Sequence, residues 1–164
     1  MATIEETLQI HLENVRQKVA QAMADYGRNA SGRSVGSLTV SVNGNVGTLF
    51  GSKSFLAMER GRAGGKVPKG FVAIIKQWII DKGISVAPIP AKRRNTKYTP
   101  HERGLNSFAG AIAHKIMTDG TKLFRDKQFN DIFTTAVNEE LELMSKELML
   151  YTAESLAEIN NILE

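Results

Sequence analysis

The glycine-rich segment at residues 61–67 is the first place where the residue types could support chemistry, because Gly65 followed by Lys66 could close a phosphate-binding loop. Such a P-loop has a further glycine five residues earlier and, after the lysine, a serine or threonine that ligates magnesium. Here Arg60 occupies the glycine position and Val67 the hydroxyl position. The segment is therefore interpreted as a flexible turn and not as a nucleotide site.

Histidines and carboxylates could do acid–base or metal chemistry. The histidines are distant in sequence and share no metal-ligand spacing, so each is interpreted as a surface or helix-face residue. Three glutamates near the C-terminus could be paired catalytic carboxylates, but on an amphipathic helix they are interpreted as the solvated face. Since cysteine is also absent, we expect no enzyme activity, cofactor or metal site. The residues concerned are His11, His101, His114, Glu139, Glu140 and Glu142.

Positive charge is concentrated in the middle of the chain, where residues 60–103 contain eleven Lys or Arg against two acids, a net charge of +9. Clustered cations attract phosphates, but Tyr98 is the one aromatic residue beside the densest cluster, so only non-specific polyanion contact is predicted. A solubilising surface and an acidic protein partner are the alternative interpretations. The cluster consists of Lys92, Arg93, Arg94 and Lys97.

Negative charge is concentrated at the C-terminal end. Residues 129–164 contain eight acids against Lys146 alone, a net charge of −7. Charge separated in this way usually reflects what each part of a protein faces. With 164 residues, no secretion signal and no apolar run near the ~18 residues of a membrane span, the chain is expected to form one domain in a cytoplasm, without membrane contact.

The elements that must position these residues are mostly helical. Apolar residues recur at helical spacing after Thr3, a potential N-cap, and Gly27 is expected to end that helix. Residues 38–50 alternate apolar and polar side chains around a turn, which predicts a β-hairpin whose second strand includes Val46 and Phe50. The hairpin must lie on a helix or join a neighbouring subunit, because two strands alone are marginal in water.

Two middle helices are predicted. The first runs from about Phe71 to Lys82, and its two apolar stripes imply deep burial. Thr99 caps the second, with proline at its first position, Glu102 completing a capping box and Gly120 as the stop. The stripes of the first helix are Val72, Ile75 and Ile79, then Phe71, Ile74 and Trp78. The expected inner face of the second is Phe108, Ile112, Ala113 and Ile116.

The last helix is expected to begin near Asn130 and, if continuous, to span about 50 Å. A domain of this size has a radius of gyration of about 15 Å, so residues 145–164 are expected to form an arm that packs on another subunit or a partner. The fold class is therefore α+β, mostly helical, with long N- and C-terminal helices, a β-hairpin or small antiparallel sheet and two middle helices. The expected contact residues of the arm are Leu148, Tyr151, Leu156, Ile159 and Leu163.

Several short motifs follow one another in the middle of the chain. Residues 55–62 are Phe-Leu-Ala-Met-Glu-Arg-Gly-Arg, residues 65–68 are Gly-Lys-Val-Pro, a helix with Trp78 follows, and residues 108–121 end in Gly-Thr. In this order they resemble the small head-to-tail joining proteins of tailed bacteriophages, also called neck or tail-completion proteins. The resemblance implies a non-catalytic ring subunit of the virion, located between the portal-bound capsid and the tail and assembled in the host cytoplasm.

The implied partners are further copies of the chain, portal, adaptor or tail proteins and, without sequence specificity, genomic DNA. Among the matched positions, Glu59 is expected to hold a turn through an ion pair with Arg60 or Arg62. The leading hypothesis is thus a ring subunit of the phage neck, with residues 1–164 as a single neck-protein-like domain. The alternative is a cytoplasmic nucleic-acid-binding module that uses residues 60–103. The expected turn or interface residues are Glu59, Arg60, Gly61, Arg62, Gly65, Pro68 and Trp78.

Overall fold

The computed structural model describes residues 3–91 and 97–163, and their side chains up to residue 157. It confirms the predicted α+β, mostly helical fold class, with 61% helix, long helices near both ends and a two-stranded antiparallel sheet. The helices are α1 (Ile4–Asp25), α2 (Arg33–Gly36), α3 (Phe55–Arg60), α4 (Phe71–Asp81), α5 (Pro100–Asp119), α6 (Lys122–Arg125) and α7 (Thr134–Leu163). The strands are β1 (Thr39–Asn43) and β2 (Val46–Phe50).

The chain forms two compact units. Unit 1 comprises residues 1–55 and 131–164, and unit 2 comprises residues 56–130. The single domain expected from chain length stays a prediction, because compactness does not show whether the two units unfold together. Each unit has its own packed helices, and each is described below by itself.

Helix α1 begins and ends where the local sequence predicts. The Thr3 side chain accepts a hydrogen bond from the Glu6 backbone N–H, and the Glu6 carboxylate accepts one from the Thr3 N–H, which forms a capping box. At the other end the Arg28 N–H donates to the Met23 carbonyl over 2.7 Å, and the Gly27 N–H donates to the Ala24 carbonyl over 2.9 Å. This pair of hydrogen bonds forms a Schellman motif, which satisfies carbonyls in the last turn of the helix.

The hairpin lies on α1, one of the two arrangements expected for it. Strand pairing places Val40 opposite Leu49 and Val42 opposite Gly47 on the half-buried face. Val46 and Phe50 therefore point outward and are 66% and 56% exposed. Gly47 has no side chain, and a Cβ at that position would lie 2.5 Å from Leu12 Cδ1, so the glycine lets α1 approach the strand closely.

Helix α7 is continuous, as expected, but it begins at Thr134 and not near Asn130. Asn130 lies in the segment before the helix, where its N–H donates to the Glu59 carbonyl over 2.8 Å. The Asp131 carboxylate then accepts from the Thr135 N–H over 2.9 Å in the first turn. The 30 residues of α7 correspond to about 45 Å of helix.

The core of unit 2 is formed where α4 packs on α5, with Ile75 and Ile79 against Leu105, Ala109 and Ala113. The N-cap Thr99, the capping box with Glu102 and the end of α5 at Gly120 are confirmed. The predicted inner face of α5 is confirmed in part, because Ala113 is buried in this core and Ile112 and Ile116 pack against it. Leu105 and Ala109 are also buried there, whereas Phe108 is 40% exposed.

The prediction that both apolar stripes of α4 are deeply buried is wrong. Ile75 and Ile79 are buried, but Ile74 is 52% exposed and Trp78 is 40% exposed. The reason is geometric: α5 covers one face of α4, and one helix shields only part of the circumference of another. The second apolar stripe of α4 is consequently a surface.

Candidate functional site

The glycine turn after α3 is hydrogen-bonded to the end of α5. The Arg62 N–H donates to Thr121 Oγ1, and the Thr121 N–H donates back to the Arg62 carbonyl, each over 2.9 Å. Further along the turn, the Gly65 N–H donates to the Met117 carbonyl over 2.6 Å. The fold thus joins two distant parts of the sequence motif, residues 61–65 and the Gly-Thr pair that ends it.

Gly61 is a position that only glycine fits. Its φ of +75° lies in the left-handed region, which residues other than glycine rarely adopt. A Cβ there would also lie 2.5 Å from the Phe124 backbone nitrogen and 2.6 Å from Thr121 Oγ1. The role expected for Gly61 as a turn-forming residue is therefore consistent with its geometry.

Glu59, Arg60 and Arg62 have different surroundings. Glu59 is buried, and its backbone carbonyl accepts the Asn130 N–H. The Arg62 guanidinium donates to the Lys66 carbonyl and lies 5.4 Å above the centroid of the Phe71 ring. Arg60 is exposed. The ion pair expected between Glu59 and one of these arginines stays a prediction.

An open apolar groove of about 430 Å³ lies beside the glycine turn. Residues around Pro68 and Phe71 line it together with α5, where Gly110 and Ala113 contribute no large side chain. Cations accompany it: Lys66 and Lys69 are exposed neighbours of the lining residue Pro68, and Arg62 stacks on Phe71, which also lines the groove. The residues in contact with the groove are Val67, Pro68, Gly70, Phe71, Val72, Gly110, Ala113, His114 and Met117.

The basic cluster is only partly described. Lys97 is exposed and its Nζ lies 5.8 Å from the centroid of the Tyr98 ring, a cation–π distance. Lys92, Arg93 and Arg94 lie outside the described residues. The predicted polyanion contact therefore stays a prediction.

The C-terminal half of α7 combines half-buried and exposed apolar side chains. Leu148 and Tyr151 are half-buried, and Leu156 is 58% exposed. Between and beside them, Met149 and Leu150 are 68% and 65% exposed. Ile159 and Leu163 belong to the helix, but their side chains lie outside the described set.

A buried polar cluster between α1 and α7 escaped the sequence analysis. His11 Nδ1 lies 2.8 Å from Glu140 Oε2, and His11 Nε2 lies 3.1 Å from Glu147 Oε2. Glu140 also accepts from Lys18 Nζ over 2.9 Å. His11 lies on a face of α1, one of the two positions expected for it, but it is buried there and only 8% exposed. The solvated assignment of Glu140 is wrong, because Glu140 is only 4% exposed.

The environment favours the charged form of both partners. Burial lowers the pKa of His11, but hydrogen bonds and negative charge from Glu140 and Glu147 outweigh it and raise the pKa above 6.5. Burial raises the pKa of Glu140, and hydrogen bonds from His11, Lys18 and Asn14 reverse this and lower it below 4.5. With a carboxylate on each ring nitrogen, His11 has no free nitrogen to act as a base, so the cluster joins α1 to α7.

The remaining features give no chemistry to a candidate site. Among the described side chains, those of residues 3–91 and 97–157, no three His, Cys, Asp or Glu are grouped so that they could hold a metal ion. Among the helices of that part of the chain, none is sufficiently long and apolar to span a membrane. No family model, curated protein or solved structure matches the chain. Any function must therefore be argued from this molecule's own surfaces.

The clearest property of those surfaces is their charge. Unit 2 contains fifteen Lys or Arg against five Asp or Glu, a net charge of +10. Unit 1 contains six against twelve, a net charge of −6, and the two values together give the +4 of the whole chain. The opposite charges of the middle and the C-terminal segment thus become opposite charges of two compact units.

Proposed function

We propose that this protein is a structural subunit of a tailed-bacteriophage virion, which forms a ring in the neck between capsid and tail. The observation that carries the proposal is the pairing of a +10 unit and a −6 unit in one chain, each with exposed apolar helix surface. Oppositely charged surfaces on one molecule favour a head-to-tail contact between copies. Such a contact forms a ring when the rotation from each copy to the next closes on itself.

The motif residues support a scaffold role. The glycine turn is held by reciprocal hydrogen bonds to Thr121, and Glu59 is buried beside Asn130. These contacts fix the path of the backbone through the motif. A scaffold role of this kind is what the resemblance to neck proteins implies.

The surfaces also suit the expected partners. The exposed Ile74 and Trp78 on α4 and the apolar end of α7 give contact area for further copies or for portal, adaptor and tail proteins. Cations of unit 2 that face the lumen of a ring would give the genomic DNA a salt-sensitive, sequence-independent contact. The protein would then reside in the virion neck after assembly in the host cytoplasm.

Sedimentation velocity and negative-stain electron microscopy of the purified full chain test the proposal. We expect rings in buffer of low ionic strength, and dissociation as salt rises to several hundred millimolar, where the Debye length falls well below ~10 Å. Monomers at every protein concentration would contradict the ring, and rings that resist salt would contradict the electrostatic contact.

A nucleic-acid-binding module is the second candidate, favoured by the +10 charge of unit 2. Gel-shift titration with double-stranded DNA separates it from the first. Micromolar binding by the isolated monomer, abolished by the triple substitution Lys92→Ala, Arg93→Ala, Arg94→Ala, would favour this candidate. A binding constant that changes steeply with salt but not with DNA sequence would identify phosphate contacts.

A further inference from the structure

We propose that the groove in unit 2 receives the C-terminal end of α7 from a second copy of this chain. The inference rests on the proposed ring and names the two surfaces that meet in it. The groove is an open channel of about 430 Å³ with an apolar lining. Gly110 and Ala113 of α5 line it without large side chains, which lets another helix approach closely.

The end of α7 extends well past its contacts with α1. The two helices run antiparallel, since Lys18 contacts Glu139 whereas Thr7 contacts Glu147. Helix α1 begins only three residues before Thr7, but α7 continues for 16 residues after Glu147, about 24 Å of helix. The outer part of this overhang therefore has no α1 alongside it.

The overhang presents an apolar stripe suited to a groove. Met149, Ala153 and Leu156 are exposed and stand at positions i, i+4 and i+7, on one side of the helix. This is the spacing with which amphipathic helices insert into hydrophobic grooves. A stripe of this kind left in water would be costly, so burial against another surface is favourable.

Charge selects this occupant. After Lys146 the chain contains acids but no base: Glu147, Glu154, Glu158 and Glu164. The groove is accompanied by the cations Arg62, Lys66 and Lys69. An acidic helix with an apolar stripe therefore fits the groove better than a phosphate backbone would, because DNA would leave the apolar lining uncovered. The overhang and the groove belong to different units. Every copy can therefore insert its overhang into one neighbour and accept the overhang of another, which propagates a head-to-tail contact.

Two blocking variants of the full chain test the docking. Gly110→Phe is designed to fill the groove, and a Cβ at this position meets no atom within 4 Å. Leu156→Asp puts a charge in the stripe. The matched controls are Ala111→Phe, at the next and exposed position of α5, and Asn138→Asp, which adds the same charge to an exposed position of α7 before the overhang.

Light scattering after size exclusion gives the readout. We expect each blocking variant alone to be a monomer of about 18.0 kDa, both controls to assemble like the unmodified protein, and an equimolar mixture of the blocking variants to give a heterodimer of twice that mass. The heterodimer forms because the Gly110→Phe variant keeps an unaltered overhang and the Leu156→Asp variant keeps an open groove. Circular dichroism checks that each variant keeps its helical content.

The outcomes separate the docking from the ring itself. If the unmodified protein forms rings and Gly110→Phe forms them equally well, the docking is wrong and the ring stands. If the unmodified protein is monomeric at every concentration, both are wrong. A third outcome concerns DNA. If assembly falls in proportion to the amount of DNA bound in the groove, whereas the complementary blocking variant has no such effect, a polyanion is the true occupant and the docking is overturned.

A disulfide assay adds a direct distance test, since the chain has no cysteine of its own. Mixed His114→Cys and Ala153→Cys variants should form cross-linked heterodimers under mild oxidation, because His114 lines the groove and Ala153 lies in the stripe. Ala111→Cys mixed with Ala153→Cys is the control. Equal cross-linking in both mixtures would count against the proposed geometry.

Discussion

The substitution Glu140→Gln should destabilise the protein much more than a glutamate exchange on the outside of α7. The Glu140 carboxylate is 4% exposed and accepts from His11, Lys18 and Asn14. A hydrogen bond to a buried charged group contributes about 1.5–3 kcal/mol, and His11 can lose its proton when its partner is neutral, which limits the cost. We therefore expect a loss of about 2 kcal/mol in the free energy of unfolding, a large fraction of a typical 5–15 kcal/mol.

The same cluster should make stability depend on pH in a defined direction. Because Glu140 and Glu147 raise the pKa of His11, its contribution is complete below pH 6.5 and is lost as pH rises through the folded-state pKa. Because His11, Lys18 and Asn14 lower the pKa of Glu140, its contribution is present above pH 4.5 and is lost as pH falls through its folded-state pKa. The cluster is thus most stabilising between the folded-state pKa of Glu140 and the folded-state pKa of His11.

Urea denaturation followed by circular dichroism, at several pH values from 5 to 9, measures both effects. In the unmodified protein the slope above pH 6.5 should not exceed about 1.4 kcal/mol per pH unit, the limit for one proton. In Glu140→Gln that slope should shrink, because the hydrogen bond and negative charge of Glu140 no longer raise the pKa of His11. Glu142→Gln is the control, since Glu142 is exposed and pairs with Lys146 within α7. Equal loss in both variants, with an unchanged pH slope, would refute a charged His11–Glu140 pair.

Three further predictions concern backbone positions and the arm. Gly104→Ala should lower stability by about 2 kcal/mol, measured by thermal unfolding, because its Cβ would overlap the Ala87 carbonyl oxygen; Gly110→Ala, in open space, is the matched control. Gly61→Ala should cost about 1–3 kcal/mol through left-handed strain and the nearby Phe124 nitrogen; an unchanged melting temperature would contradict this. Truncation after Tyr151 should keep the pH dependence and abolish assembly, whereas aggregation would place the arm in the core.

Elements whose limits depend on neighbouring residues could be predicted from the sequence. The capping boxes at Thr3 and Thr99 join side chains and backbone three residues apart, so the local sequence contains the whole interaction. Contacts between distant residues are not contained in the local sequence. In the segment before α7, for example, Asn130 is held by the Glu59 carbonyl, 71 residues earlier in the chain.

The candidate site shows the same division. Gly61 and its turn were expected, but their bond to Thr121 joins residues 59 positions apart, and no local pattern encodes it. His11 and Glu140 were missed although each stands within an apolar stripe, such as Leu8, His11 and Val15 on α1. A polar residue inside such a stripe is the signal that could have indicated a buried, oppositely charged partner.

Folding and assembly should respond to different conditions, because different charges control them. The His11–Glu140 pair is buried, so it is only weakly screened by salt but is sensitive to protonation. The cations of the groove, such as Lys66 and Lys69, are exposed, so salt screens them. Raising the ionic strength should therefore dissociate copies while each copy remains folded with the same pH dependence. In the proposed ring, this separation would let the ionic strength control assembly without unfolding the copies.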